Sequence, residues 1–310
     1  MRRSHPPALA TLARRALMED CGVRRGERVL LAVSGGPDSM ALLHVLAREA
    51  PRLGVELRAH GVDHGLRVGA RAELDLAAAL AARLGVRWAE SRVQVAIGAN
   101  LQARARDARW RALDAAALAA GCALVATGHH ADDRAETLLL RVLRGAPLEA
   151  LAVLPPRDGA RIRPLWRARR ADIVTHVARH RLEFAEDPSN DDARFLRVRV
   201  RREVLPLLEQ LDPRIVEHLN ALADTLGAHA AAAPHDPLER APLKRSQRDL
   251  VARALARAAR EGPTSLARVA FPLSGEQEIG FEPGSARPVV RPARAPVSRW
   301  SPGARARRPA

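Results

Sequence analysis

The chain has 310 residues, only two cysteines (Cys21 and Cys122) and a formal net charge of +16. Two cysteines exclude a disulfide framework and a cysteine-rich metal site, and no apolar run reaches the roughly 20 residues needed to cross a bilayer. The charge favours a polyanionic partner, although Lys244 is the single lysine among 51 basic residues, so a coding bias toward arginine also inflates the count.

The basic N-terminus lacks an uninterrupted apolar h-region, which predicts a cytoplasmic protein without a secretory leader. Residues 8–20 read as a short amphipathic helix. "RVLLAV" (28–33) is a first buried strand, and "MALLHVLAREA" (40–50) is a helix ended by Pro51. "VELRAHGVDHGLR" carries a second strand that stops near His60 to Asp63. A helix over 70–85 with a glycine stop, a third strand in "VRWAESRVQV" and a long helix over 101–121 follow. "CALVATG" (122–128) is a fourth strand and "HADDRAETLLLRVLRG" (130–145) its helix.

Strands alternating with helices at this spacing predict an α/β fold, a doubly wound and mostly parallel Rossmann-like sheet, with a smaller and mainly helical C-terminal domain. The expected division is a catalytic domain over 1–210, a helical domain over 211–282 and a mobile Pro/Arg-rich tail over 283–310. In such sheets ligands bind at the carboxyl ends of the strands. Three polar clusters fall there: "SGGPDS" after the first strand, "GVDHGLR" after the second and "TGHHADDRAET" after the fourth.

The first cluster is a phosphate-binding turn. It is neither a Walker A loop nor a dinucleotide fingerprint, since no Gly-Lys-Ser/Thr and no GxGxxG is present. Gly35 and Gly36 let backbone N–H groups approach a phosphate, Pro37 opens the helix, and Ser34 and Ser39 donate to its oxygens. Asp38 would repel a phosphate, so it implies a bridging Mg²⁺ held with Ser39.

In the second cluster, His60 and His64 read equally well as strand-end residues satisfied by backbone; Asp63 is a candidate for holding nucleotide or cation. In "NLQARARDARW", Arg104, Asp107 and Arg111 share one helical face, with Arg106, Arg109 and Trp110 on another part of the circumference. That pattern fits a solvated face, or an arginine that neutralises charge on an α-phosphate. In the third strand-end cluster, His129, Asp133 and Glu136 fall at i, i+4 and i+7. This acidic face suits a cationic substrate; a metal site and simple first-turn capping by Asp132 and Asp133 are the competing readings.

The hexapeptide resembles the PP-loop ATP pyrophosphatases. With "HGVDHGLR", "NLQARARDARW", "TGHHADDRAETLLLRVLRG" and "EDPSNDDARFLRVRVRREVLPLL" in that order, residues 28–210 resemble the tRNA(Ile)-lysidine synthetase family. The resemblance implies that ATP adenylates the C2 oxygen of the wobble cytidine of a CAU anticodon, and that free lysine then displaces AMP. It implies ATP at Ser34–Ser39 and Asp63, with Mg²⁺ at Asp38 and Ser39. Asp38, Arg106 and His129 would stand at the reacting centre, and Asp133 and Glu136 would hold lysine. Arg194, Arg197, Arg199, Arg201 and Arg202 would meet tRNA phosphates. A homodimer is compatible with it.

Departures from the family pattern are Gln102 for Glu, Arg134 for Gln, Trp110 and Phe195 for tyrosines, Val198 for Asn, and Pro147 and Ala150 for glycines. The rival expectations are a cytidine 2-thiolase, disfavoured because Cys21 and Cys122 form no CxxC pair, and a basic RNA-binding protein with a decayed ATP site.

Overall fold

The computed structural model describes residues 8–63, 65, 69–95, 98, 101–185 and 194–232, and parts of 253–292. One compact unit spans Met1–Ala231 and a second spans Ala232–Ala310.

The first unit opens with helix α1 (Leu9–Arg15), which runs on into a π-helical turn, Ala16–Asp20. Its sheet has the order β3-β2-β1-β4-β6-β5. The strands are β1 (Arg28–Ala32), β2 (Glu56–Asp63), β3 (Arg87–Arg92), β4 (Leu124–Ala126), β5 (Arg157–Asp158) and β6 (Arg161–Ile162). β3, β2, β1, β4 and β6 pair in parallel, and β5 closes the edge antiparallel to β6. The mostly parallel doubly wound sheet is the expected one. The β5–β6 hairpin was not legible, because two-residue strands leave no periodicity to read.

Alternation along the central strands sets the layers. Val29, Leu31, Leu124 and Ala126 face a core shared with α1, α2 (Pro37–Leu53), α3 (Ala70–Arg83) and α6 (Arg170–Arg179). Leu30 and Val125 point the other way, onto Trp110, Leu113 and Ala117 of α4 (Leu101–Ala119). A side-chain period of two on a sheet buried on both faces produces this sorting. Pro51 does not end α2. It sits inside the last turn, where few hydrogen bonds remain to be lost, and Gly54 in the left-handed region closes the helix with its N–H on the Ala50 carbonyl.

β1 lies between β2 and β4, so the strand order reverses there. The crevice at that switch point is the place where open α/β sheets bind ligands. α5 (Ala131–Leu143) leaves β4 on this side. Ala131 and Ala135 of α5 pack on Leu205 of α8 (Leu205–Leu211) and Val216 of α9 (Ile215–Ala232). That packing draws α8 and α9 into the first unit and moves its boundary past the expected residue 210 to Ala231. In the second unit the described residues include a three-stranded antiparallel sheet, β7 (Phe271–Pro272), β8 (Gln277–Phe281) and β9 (Pro288–Pro292). This sheet runs across the expected 282/283 boundary. Sheet structure was not expected here, since the Pro/Arg content of the segment masks any alternation.

Candidate active site

The turn between β1 and α2 is built around Ser39. Its Oγ donates to the Gly36 carbonyl at 2.9 Å, accepts the Ser34 N–H at 3.1 Å and lies 3.3 Å from the Ser34 Oγ. Gly35 has φ +86°, and a β-carbon there would stand 2.4 Å from the backbone oxygen of Glu73. Only glycine meets both conditions. Gly36 is the extended N-cap of α2, Pro37 follows it, and no side chain caps the helix, so its positive end is presented to the crevice.

The loop after β4 reaches this turn through Gly128. A β-carbon on Gly128 would lie 2.9 Å from backbone atoms of Asp38 and 3.1 Å from the Ser39 nitrogen. The two loops therefore touch backbone to backbone. His129 precedes α5 and is not on its face, which corrects the expected i, i+4, i+7 alignment. The helix starts at Ala131 because His130 is its extended N-cap, its N–H accepted by Asp133 Oδ2 at 3.2 Å.

His130 joins the clusters. Its buried ring has Nε2 at 3.7 Å from Asp38 Oδ1 and 3.4 Å from Asp133 Oδ2, and Nδ1 at 3.5 Å from Asp132 Oδ2. These are ion-pair distances, longer than a normal hydrogen bond, and among the described residues neither ring nitrogen has a well-formed hydrogen bond. Burial opposes charge on the ring, but Asp133, Asp132 and Asp38 together outweigh it and raise the pKa. Burial, reinforced by Asp133, raises the carboxyl of Asp38, against the pull of His130. Asp133 behaves oppositely: burial opposes it, but His130, His129, Arg197 and Arg201 bring it down to about 2. His129 is pushed down to about 4, by burial first, with Arg163, Arg109 and Arg197 adding to it against Asp133. Thr127 Oγ1 lies 2.7 Å from its Nδ1 and fixes the ring.

The acidic wall is lined with arginine. Arg197 donates to Asp133 Oδ1 and Glu136 Oε2, both at 3.0 Å. Arg201 donates to Glu136 Oε1 at 2.6 Å and Oε2 at 3.0 Å. Glu136 is 0% exposed. The five arginines expected on a tRNA-facing strip are thus divided. α7 (Leu196–Arg199) and the π-helical turn Val200–Val204 turn Arg197 and Arg201 inward. Arg194, Arg199 and Arg202 are exposed, and Arg199 pairs with Glu203.

Arg106 is exposed on α4, and its charge reaches Arg109, Arg141 and Arg163, each of which is also lowered by burial. Arg109 and Arg163 in turn act on His129. These arginines and Asp133 thus act on His129 in opposite senses. Asp63 is not drawn into the cluster around His130: its Oδ1 accepts the Gly65 N–H at 2.8 Å and its Oδ2 lies 3.6 Å from Arg92. His64, Arg67 and Asn100 lie outside the described residues.

Sequence reading missed the joining role of His130, and it took Asp132 only as a first-turn cap, whereas Asp132 accepts Arg169 at 3.1 and 3.2 Å and the Arg170 N–H at 2.8 Å. It also missed what Arg134 does. Arg134 donates to the Val153 and Asn220 carbonyls and pairs with Asp224 at 2.7 Å, tying α5 to α9. The signal lay in the two Asp residues of "HHADDR", which are more than one cap requires.

A parallel sheet with an uncapped glycine turn at its switch point is the architecture of a PP-loop nucleotide-binding protein, and residues 9–208 match the family model for the PP-loop domain. The chain is 41% identical over 233 residues to tRNA(Ile)-lysidine synthase of Thermobifida fusca, covering 73% of this chain and 71% of that one. It is 40% identical to that of Leifsonia xyli (82% and 78% covered) and 42% identical to that of Pseudomonas aeruginosa (65% and 48% covered). The chain belongs to the tRNA(Ile)-lysidine synthase family of ATP-dependent ligases. Of the Pseudomonas relative it spans about half the length. Among solved structures, the U34-tRNA thiolase NcsA of Methanococcus maripaludis, with its iron–sulfur cluster, aligns with a TM-score of 0.62 at 15% identity. It covers 75% of this chain and 87% of that one, a likeness of fold. No helix among the described residues is long and apolar enough to cross a membrane.

Proposed function

We propose that the chain ligates lysine to C2 of the wobble cytidine of a CAU-anticodon tRNA(Ile) at the expense of ATP. The cytidine O2 attacks the α-phosphate and pyrophosphate leaves; the lysine ε-amine then attacks C2 and AMP leaves. The observation that carries this reading is the position of His130, in ion-pair contact with Asp38 of the phosphate turn and Asp133 of the acidic wall at once.

In this reading Gly35, Gly36 and the α2 N-terminus receive the pyrophosphate end of ATP, with Ser34 and Ser39 as donors. Asp38 and Ser39 form a hard-oxygen donor pair that suits Mg²⁺, and the half-buried Asp38 carboxyl, raised by burial and by Asp133 despite the pull of His130, Arg170 and Arg201, accepts further positive charge. Bound there, Mg²⁺ would neutralise phosphate oxygens. Arg106, with Arg109 and Arg163 behind it, offsets charge on the α-phosphate. Asp133 and Glu136 bind the lysine ammonium, and His129, kept neutral beside Asp133, orients the amine without adding a competing charge. Asp63 is left a role in shaping its own turn beside the nucleotide. Arg194, Arg199 and Arg202 remain as tRNA phosphate contacts.

Thiolation is the weaker alternative. Cys21 is buried, its thiol pushed up to about 11 by burial, and Cys122 sits in a different core cluster. Neither is a reactive thiolate. A decayed ATP site is disfavoured by the intact turn around Ser39.

The test is ATP-dependent incorporation of labelled lysine into a CAU-anticodon tRNA(Ile) transcript. Wild type should incorporate it, and Asp38→Ala and Glu136→Ala should each lose it. Full activity in both variants would refute the site.

A further inference from the structure

A second cluster lies away from the crevice, where α2 packs on α6. His44 of α2 and His176 of α6 put Nδ1 and Nε2 2.9 Å apart. His180, the C-cap of α6, completes a triangle of rings with centroids 5.0, 4.6 and 4.4 Å apart. One nitrogen from each ring lies within 4.8 Å of the others. We propose that His44, His176 and His180 bind one divalent transition-metal ion of the zinc class, which staples α2 to α6.

His176 and His180 stand at i and i+4, the spacing that brings two imidazoles to one helix face. His44 supplies the third ligand from the facing helix. Tetrahedral coordination at about 2.0–2.1 Å per nitrogen sets neighbouring nitrogens about 3.3 Å apart. The His44–His176 pair therefore opens by a few tenths of an ångström. The proton now shared between them moves to the outer nitrogen of its own ring, so both rings stay neutral and no proton need be released. Burial first, then the neighbouring rings and arginines, push His44 and His176 down to about 4. Both are thus neutral imidazoles, the form that binds metal.

His44 is buried, His176 half-buried and His180 exposed, so the open side faces solvent, where water completes the coordination. Three imidazole nitrogens, with no carboxylate in the group among the described residues, select zinc, cobalt, nickel or copper over magnesium or calcium. Arg48, Arg83 and Arg179 are the nearby charges acting on these rings, and all are cations. They weaken the site without removing a ligand. The site is independent of the ligase reading. His44 lies six residues, about 9 Å of helix, beyond Asp38, so the staple would brace the helix that carries the phosphate turn.

The experiment is a Co²⁺ titration of the chelator-treated full chain, followed by its visible d–d absorption, with Zn²⁺ as competitor. Wild type should take up one equivalent with nitrogen-ligand bands that Zn²⁺ abolishes, and Zn²⁺ should raise its melting temperature. His180→Ala, at an exposed helix end, and His176→Ala should each weaken binding at least about tenfold, and His180→Ala should abolish the melting shift. His129→Ala, in the crevice, should bind as wild type does. Absence of saturable Co²⁺ binding in wild type, or undiminished binding in both His176→Ala and His180→Ala, would overturn the proposal.

Discussion

A β-carbon on Gly128 would press on the backbone of Asp38 and Ser39 at 2.9–3.1 Å, and backbone cannot swing aside as a flexible side chain can. Gly128→Ala should therefore separate the two loops and weaken ATP binding by at least about tenfold, equivalent to about 1.4 kcal/mol. Nucleotide titration by calorimetry checks this; unchanged affinity would show that the loop contact is dispensable. The residue types of the site were legible because phosphate turns need glycine, hydroxyls and a helix start together. The role of His130 was not, since its effect depends on Asp38, 92 positions away. Sequence spacing also misassigned His129 to the helix face: a helix pattern does not reveal where the N-cap falls.

At the scale of elements, α5 is the hub. It carries Asp133 and Glu136, receives Arg197 and Arg201 from the α7 segment, and is tied to α9 through Arg134. Two carboxylates face two guanidinium groups, so the proposed lysine wall is balanced in the free protein. An added ammonium is unfavourable until a phosphate draws an arginine away, and Arg201 already feels the charge of Asp38 at the phosphate turn. Lysine should bind about 5- to 150-fold more tightly with Mg·ATP present, the usual range of coupling between sites. Equilibrium dialysis of labelled lysine with a non-hydrolysable ATP analogue measures it; equal affinity with and without nucleotide would contradict the balance. Elsewhere on the hub's partner, Gly227 lies within α9, and among the described residues a β-carbon there meets only Ala152, at 3.9 Å. Gly227→Ala should stabilise the protein by about 0.5–1 kcal/mol, read as a higher urea midpoint; a lower one would mean that the contact with Ala152 cannot adjust.

For the whole molecule, the central α/β order could be read from strand–helix alternation, since each buried strand is a short apolar run bounded by turn residues. What escaped depended on contacts distant in sequence: the β5–β6 edge, the inclusion of α9 in the first unit and the strands after residue 270. The charges of the crevice also set an acid limit. His129 falls from 6.5 to about 4 on folding, so its contribution to stability is complete above pH 6.5 and lost as pH drops toward 4. Asp133 falls from 3.8 to about 2, and its contribution is lost below that, between pH 3.8 and 2. The urea midpoint should thus decline as pH falls from 6.5, and His129→Ala should flatten the upper part of the decline; a midpoint independent of pH over that range would refute this electrostatic picture.

The most direct measurement is mass spectrometry of nucleosides from a CAU-anticodon tRNA(Ile) transcript incubated with the protein, Mg·ATP and lysine. The wobble cytidine should gain the mass of lysine less one water, with AMP and pyrophosphate formed in step. A cytidine left unmodified by a protein that still binds ATP, or one that carries sulfur in place of O2, would contradict the assignment.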